Sequence, residues 1–127
     1  MRFYLAGGMR GRDWQSEVKT ALAPGGHRFL DPCDHGLSDP LDYTAWDLGA
    51  VAISDGVISY MERTNPSGIG LTLELGMAIG MGKPTYFACE SPEARWDLVN
   101  NAVSKHFTTL EQMISWLQKN LPVERVI

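Results

Sequence analysis

The chain has 127 residues, with 11 Lys and Arg against 15 Asp and Glu, and a formal net charge of −4. That length suits one domain over 1–127 and buries enough surface to fold without a disulfide or metal staple. At 44% hydrophobic and 20% charged residues the composition excludes disordered and fibrous classes. The negative balance argues against a nucleic-acid polymer or an anionic membrane as partner, since both are bound through Lys and Arg clusters. A small anion held by one or two positioned groups stays open.

The first apolar run is too short for a secretory leader or a membrane span. Cys33 and Cys89 form no CxxC pair. The expectation is a cytoplasmic protein with reduced thiols.

In chain order, the residues predict alternating strands and helices. Arg2–Ala6 is a short apolar strand that runs into Gly7 and Gly8. Asp13 caps a helix to about Ala23, which Pro24-Gly25-Gly26 stops. His27–Leu30 is a second strand. Residues 31–42 form a loop rich in Asp, Pro and Gly, and a helix follows from Asp42 to Ile53. Gly56–Met61 is the third strand. After the Asn65-Pro66 turn signal, Gly68 or Gly70 opens a helix reaching about Met81, with Gly82 in the C′ position. Thr85–Ala88 is the fourth strand, Pro92–Val103 a helix and Lys105–Phe107 a fifth strand. Thr109 and Gln112 form a capping-box signature for a last helix over Leu110–Asn120.

This alternation predicts an α/β three-layer sandwich, flavodoxin-like or Rossmann-like, around a parallel sheet of about five strands. Ligands in such folds bind beyond the carboxyl ends of the strands. The rule points to Gly7–Arg12, Asp31–Asp42, Glu62–Gly70 and Cys89–Pro92.

Two of these segments carry chemistry. In the first, glycines and free backbone N–H groups near a helix start attract anions, and Arg10 and Arg12 add donors. It is neither a Walker loop nor a dinucleotide fingerprint. A tight turn with solvated arginines accounts for it equally well. In the second, Glu74 is the only charged residue between Arg63 and Lys83. A helix this apolar is expected to be buried, and a lone carboxylate inside it is costly without a partner or a task. Placed near the first turn, the helix dipole would keep it ionised, as a nucleophile or simply as a cap. Gly76 and Gly80 suit close packing on the sheet or on another chain.

Asp55, just before a strand, reads as a turn residue, whereas spacing alone leaves Asp47 facing either a site or solvent. The tryptophans read as packing residues, and the Tyr4 hydroxyl is placed to reach the site. Cys33, His35, Asp31 and Asp34 match no zinc spacing, so no metal is expected.

The Tyr4-Leu5-Ala6-Gly7 segment, paired with the Gly70-x-x-x-Glu74-Leu75-Gly76-x-Ala78-x-x-x-Gly82-Lys83-Pro84 helix, resembles the nucleoside 2-deoxyribosyltransferase family. It also resembles that family's hydrolytic relatives, the 2′-deoxynucleoside 5′-monophosphate N-glycosidases. The resemblance runs from about Arg2 to Ala88. It implies a homodimer or higher homo-oligomer with sites near subunit interfaces. The implied partner is a small deoxynucleoside or deoxynucleotide, with no cofactor.

By position, Glu74 matches the family's nucleophile, Tyr4 the tyrosine that orients it, and Asp47 an aspartate of the site. Gly7, Gly8, Met9, Arg10 and Gly11 resemble the phosphate-side loop of the hydrolases, and Ser67, Gly68 and Gly70 are further implied substrate-binding positions. The transferases carry an acid shortly before the glutamate. Residues 65–70 have none, and Ser67 is closer to the hydrolases, where a serine serves the 5′-phosphate. Asn100 or Asn101 is a candidate to complete a neighbouring subunit's site.

The implied chemistry is departure of the base from an oxocarbenium-like C1′, captured by a carboxylate and released to water or to a second base. The alternatives are a phosphoribohydrolase acting on ribonucleotides, a non-catalytic nucleotide-binding module, and a small assembly protein.

Overall fold

A computed structural model describes residues 1–124. Five strands form one parallel sheet: β1 (Arg2–Gly7), β2 (Arg28–Leu30), β3 (Gly56–Met61), β4 (Thr85–Cys89) and β5 (Lys105–Phe107). Their order is β2-β1-β3-β4-β5, every pair parallel. This is the flavodoxin-like order, with its switch point between β1 and β3. Five helices cover the sheet: α1 (Trp14–Leu22), α2 (Pro40–Ile53), α3 (Ile69–Gly80), α4 (Asp97–Ala102) and α5 (Leu110–Asn120).

Strand alternation explains why both faces are covered. Phe3, Leu5, Ile58, Tyr60 and Ala88 point to one side, where they pack with Trp14, Val18, Leu110, Met113 and Leu117 of α1 and α5. Tyr4, Ala6, Val57, Met61 and Phe87 point to the other, against Ala50 and Val51 of α2 and Leu71, Leu75 and Ala78 of α3. Every residue of β3 is buried.

Most boundaries fall where the sequence puts them. Asp13 Oδ1 accepts from the Ser16 N–H at 3.3 Å, and Thr109 Oγ1 from the Gln112 N–H at 3.1 Å. Gly82 ends α3 in a left-handed conformation, φ 72°. Its N–H reaches Ile79 O, and Lys83 N–H reaches Ala78 O, both at 3.0 Å. This is the paired closure in which a C′ glycine satisfies the last carbonyls.

Two helices differ from expectation. α2 starts at Pro40, not Asp42, because Asp39 caps it through the Leu41 N–H at 2.8 Å and proline suits the first helical position. The expected helix 92–103 is a single 3₁₀ turn, Ala94–Trp96, followed by the six residues of α4.

The expectation that α3 is buried all round is also corrected. Leu71, Glu74, Leu75 and Ala78 face inward, but Ile69 is 81% and Leu73 58% exposed. A Cβ added at Gly76 or Gly80 would meet nothing within 4 Å. Neither glycine serves packing on the sheet; both lie on the open face. No helix among the described residues is long and apolar enough to cross a membrane.

Candidate active site

The switch point brings the end of β1, the loop after β3, Asp47 of α2 and the start of α3 around one cleft. Tyr4, Gly7, Gly8, Met9, Asp47, Ser67, Gly68, Gly70 and Glu74 all line it, with Pro32, Asn65 and Leu71 completing the wall. Its volume is about 200 Å³. A second cleft of about 560 Å³ shares Gly7, Met9 and Asn65 with it and adds Arg10, Gly11, Glu62 and Thr64. Together the two fall within the ~300–1,000 Å³ of small-molecule sites. Arg10 and Gly11 thus belong to the outer cleft rather than to the one holding Glu74.

Tyr4 lies in mid-strand, on the sheet face that α3 covers, and is fully buried. Its hydroxyl donates to Glu74 Oε2. Glu74 is the sixth residue of α3, in the second turn, so the expected help from the helix dipole is missing. Burial pushes its carboxyl up to about 7. The Tyr4 hydrogen bond opposes that rise and the nearby Asp47 charge adds to it. The expected fully ionised carboxylate is therefore a group poised near neutrality. Burial, then the Glu74 charge, drives the Tyr4 phenol far above its ordinary range, so Tyr4 acts as a proton-bearing donor.

Asp47 comes from α2. Burial raises its carboxyl, and His35 pulls the other way. The side chain of His35 is 6% exposed, with Nε2 3.3 Å from Asp47 Oδ1. That is ion-pair distance, but Oδ1 has no aligned hydrogen bond among the described residues. The Leu37 N–H donates to His35 Nδ1 at 2.9 Å, which leaves the neutral ring's proton on Nε2, facing Asp47. Trp46 holds the imidazole edge-on, with ring centroids 4.8 Å apart.

Sequence reasoning considered His35 only as a metal ligand and so missed this contact. Only the crowding of titratable residues in loop 31–42 hinted at it. Asp31 and Cys33 serve the loop itself. Asp31 pairs with Lys19 and accepts the Cys33 N–H at 2.9 Å.

The glycine loop is built on α1. Trp14 Nε1 and Gln15 Nε2 both donate to Gly8 O at 3.0 Å, turning that carbonyl away from the cleft. A Cβ at Gly7 would fall 2.6 Å from Tyr60 O and 2.8 Å from the Trp14 ring, so only glycine fits. The N–H groups of Met9, Arg10 and Gly11 have no acceptor among the described residues.

Arg10 is exposed and makes no ion pair among the described residues, although Glu62 lines the same outer cleft. Arg12 is a correction. It is tied to Glu17 at 2.6 Å and to Glu111 at 2.6 Å, and is spent on joining α1 to α5. Asp55 is structural as expected: its carboxylate accepts the Arg2 N–H at 2.7 Å, at the far end of the sheet.

A third cavity, about 600 Å³ and mostly apolar, lies between α3 and α4. Arg95 is the one ionisable group lining it among the described residues. Its lining includes Gly68 but not Glu74 or Asp47.

Solved structures match this chain over nearly its whole length. The 2-deoxyribosyltransferase of Bacillus psychrosaccharolyticus is 17% identical with a TM-score of 0.72, covering 100% of both chains. The 2-desoxiribosyltransferase of Leishmania mexicana is 14% identical with a TM-score of 0.75, over 94% of this chain and 98% of its own. The CMP N-glycosidase of Clostridium botulinum is 19% identical with a TM-score of 0.70, over 95% of this chain and 100% of its own. At these identities the likeness establishes the fold. No family model matches the chain, and no curated protein matches it.

Proposed function

We propose that the chain cleaves the N-glycosidic bond of 2′-deoxynucleosides or their 5′-monophosphates, as a member of the nucleoside 2-deoxyribosyltransferase family or of its N-glycosidase relatives. The observation that carries this reading is the buried Glu74 carboxyl. Tyr4 grips one of its oxygens at the edge of a cleft that a second acid, Asp47, also enters. The solved structures of similar fold support it, since their names describe deoxyribosyl transfer and CMP N-glycoside cleavage.

The mechanism follows from charge development. As the C1′–N bond breaks, its electron pair leaves with the base and C1′ becomes electron-poor. The free Glu74 oxygen closes on C1′ and forms a glycosyl ester. Asp47 supplies a proton to the departing base or holds a sugar hydroxyl. Water then attacks C1′ and gives hydrolysis, or a second base attacks and gives transfer; either way Glu74 leaves as carboxylate. The N–H groups of Met9–Gly11, Arg10 and Ser67 would receive a 5′-phosphate. No step uses a cofactor.

We also propose that the chain self-associates through the outer face of α3, where Ile69 and Leu73, with Leu98 of α4, are exposed. Sedimentation should give at least a dimer, and Leu73→Glu should reduce it to monomer.

The test of activity is release of free base from deoxy- and ribonucleosides and their monophosphates, with and without an acceptor base. Release from the deoxy series supports the reading. Binding without release favours a non-catalytic module, and a ribonucleotide preference favours a phosphoribohydrolase.

A further inference from the structure

Loop 65–70 brings Asn65, Ser67 and Gly68 into the wall of the Glu74 cleft, yet its own bonds are short-range. Ser67 N–H reaches Asn65 Oδ1 at 2.9 Å, and Ile69 N–H reaches Ser67 Oγ at 3.4 Å. No side chain caps α3 at Gly68. A segment with so little internal support is held from outside or it moves.

The connection between β4 and α4 does the holding. Arg95 Nη1 donates to the Ser67 carbonyl at 2.8 Å. The Trp96 indole lies against Gly68 so closely that a Cβ there would fall 2.5 Å from Cη2. Gly68 has φ 100°, so both its conformation and its clearance demand glycine. The Arg95 guanidinium sits 5.0 Å from the Trp96 ring centre, and its Nε is paired with Glu93. It is fixed in two directions before it reaches Ser67. Trp96 is 3% exposed and its Nε1 has no hydrogen-bond partner among the described residues, so the indole is used for shape. Gly68, Arg95 and Trp96 also line the α3–α4 cavity, and Gly68 lines the Glu74 cleft as well.

We infer that Arg95 is a positioning residue of the candidate site: through the Ser67 carbonyl it clamps loop 65–70 onto Trp96 and so sets the wall facing the substrate. It touches no reacting atom. A guanidinium is required, because one planar group must bond Ser67, pair with Glu93 and lie on the indole; a lysine ammonium offers only a point charge.

Arg95 is partly exposed, with a side chain 42% accessible, so its variants should fold. The kinetic readout rests on the proposed N-glycosidic activity; an exchange readout does not. In Arg95→Met, KM for a deoxynucleoside monophosphate should rise about tenfold while kcat changes less than about threefold. Arg95→Lys should recover only part of the loss. Amide hydrogen exchange over residues 65–72 should accelerate about tenfold in Arg95→Met, with α1 and α5 unchanged. Local acceleration without measurable activity in the wild type would keep the clamp and sink the functional reading instead. Unchanged exchange over 65–72, or acceleration spread over the whole chain, would overturn the clamp. So would an unchanged KM in an active enzyme.

Discussion

Two tyrosine–glutamate pairs stand on opposite faces of one sheet. On the α3 side, Tyr4 donates to Glu74; on the α5 side, Tyr60 donates to Glu90. The second pair is closed: the other Glu90 oxygen accepts the Leu110 N–H at the start of α5, at 3.1 Å. A carboxylate held at both oxygens, one of them by a helix N-terminus, ties β3 and β4 to α5. The first pair is open. Among the described residues Glu74 has only Tyr4 on one oxygen; it sits in mid-helix, is 8% exposed and lines a cleft. The same two residue types make a strut on one face and, in the proposed function, the reactive group on the other. What separates them is whether a backbone N–H takes the second oxygen.

The largest effect expected from this contrast is at the glutamates. Glu74→Gln keeps the shape and an acceptor for Tyr4, yet should lower base release by about a thousandfold or more. Glu90→Gln should leave release within about threefold and lower stability by about 1–2 kcal/mol, read by urea denaturation.

The tyrosines come next. Tyr4→Phe should cut kcat by roughly 10–100-fold. It also removes an interaction that lowers the Glu74 pKa, so the acid limb of the pH–rate profile, expected near pH 7 in the wild type, should move to higher pH. Tyr60→Phe should leave that limb in place. A common shift in both variants would erase the distinction between the two faces.

A smaller effect is expected at His35. His35→Phe keeps an aromatic ring against Trp46 but removes the ring nitrogen that faces Asp47, and should cost about tenfold in kcat. Combined with Asp47→Asn it should add little, because the two act as one unit. Fully additive losses would separate them.

A separate effect is on stability. The Glu74 carboxyl is raised on folding from 4.5 to about 7, so between those values the folded chain holds the extra proton. The protonated form's advantage is present below about pH 4.5 and is lost as pH rises through about 7. Glu74→Gln, neutral throughout, should therefore raise Tm near pH 8 and change it little near pH 5. The gain should be at most about 3 kcal/mol. A variant less stable than wild type near pH 8 would mean that the carboxylate is better satisfied than its burial indicates.

The alternation of strands and helices was legible because hydrophobic alternation, glycine stops and capping residues are local signals. Gly82 and Thr109 show this, and so does Gly7 at the carboxyl edge of the sheet; Asp47, which spacing left facing either a site or solvent, entered the site only through the resemblance. What stayed hidden depends on distant neighbours. Arg12 looked available until Glu111, 99 residues on, took it. The outer face of α3 looked buried because composition reports apolarity, not which side the sheet covers. The Glu74 charge state turned on its turn within α3, and a shift of about one turn removed the dipole from the balance. His35 and Arg95 each act through one long-range contact that leaves no mark on spacing.

The most direct test of the central claim is mass analysis of acid-quenched protein after mixing with a deoxynucleoside monophosphate that it cleaves. A deoxyribosyl-phosphate adduct on the peptide containing Glu74, absent in Glu74→Gln, is the predicted result. Base release by Glu74→Ala at the wild-type rate, with no adduct on Glu74, would contradict the account.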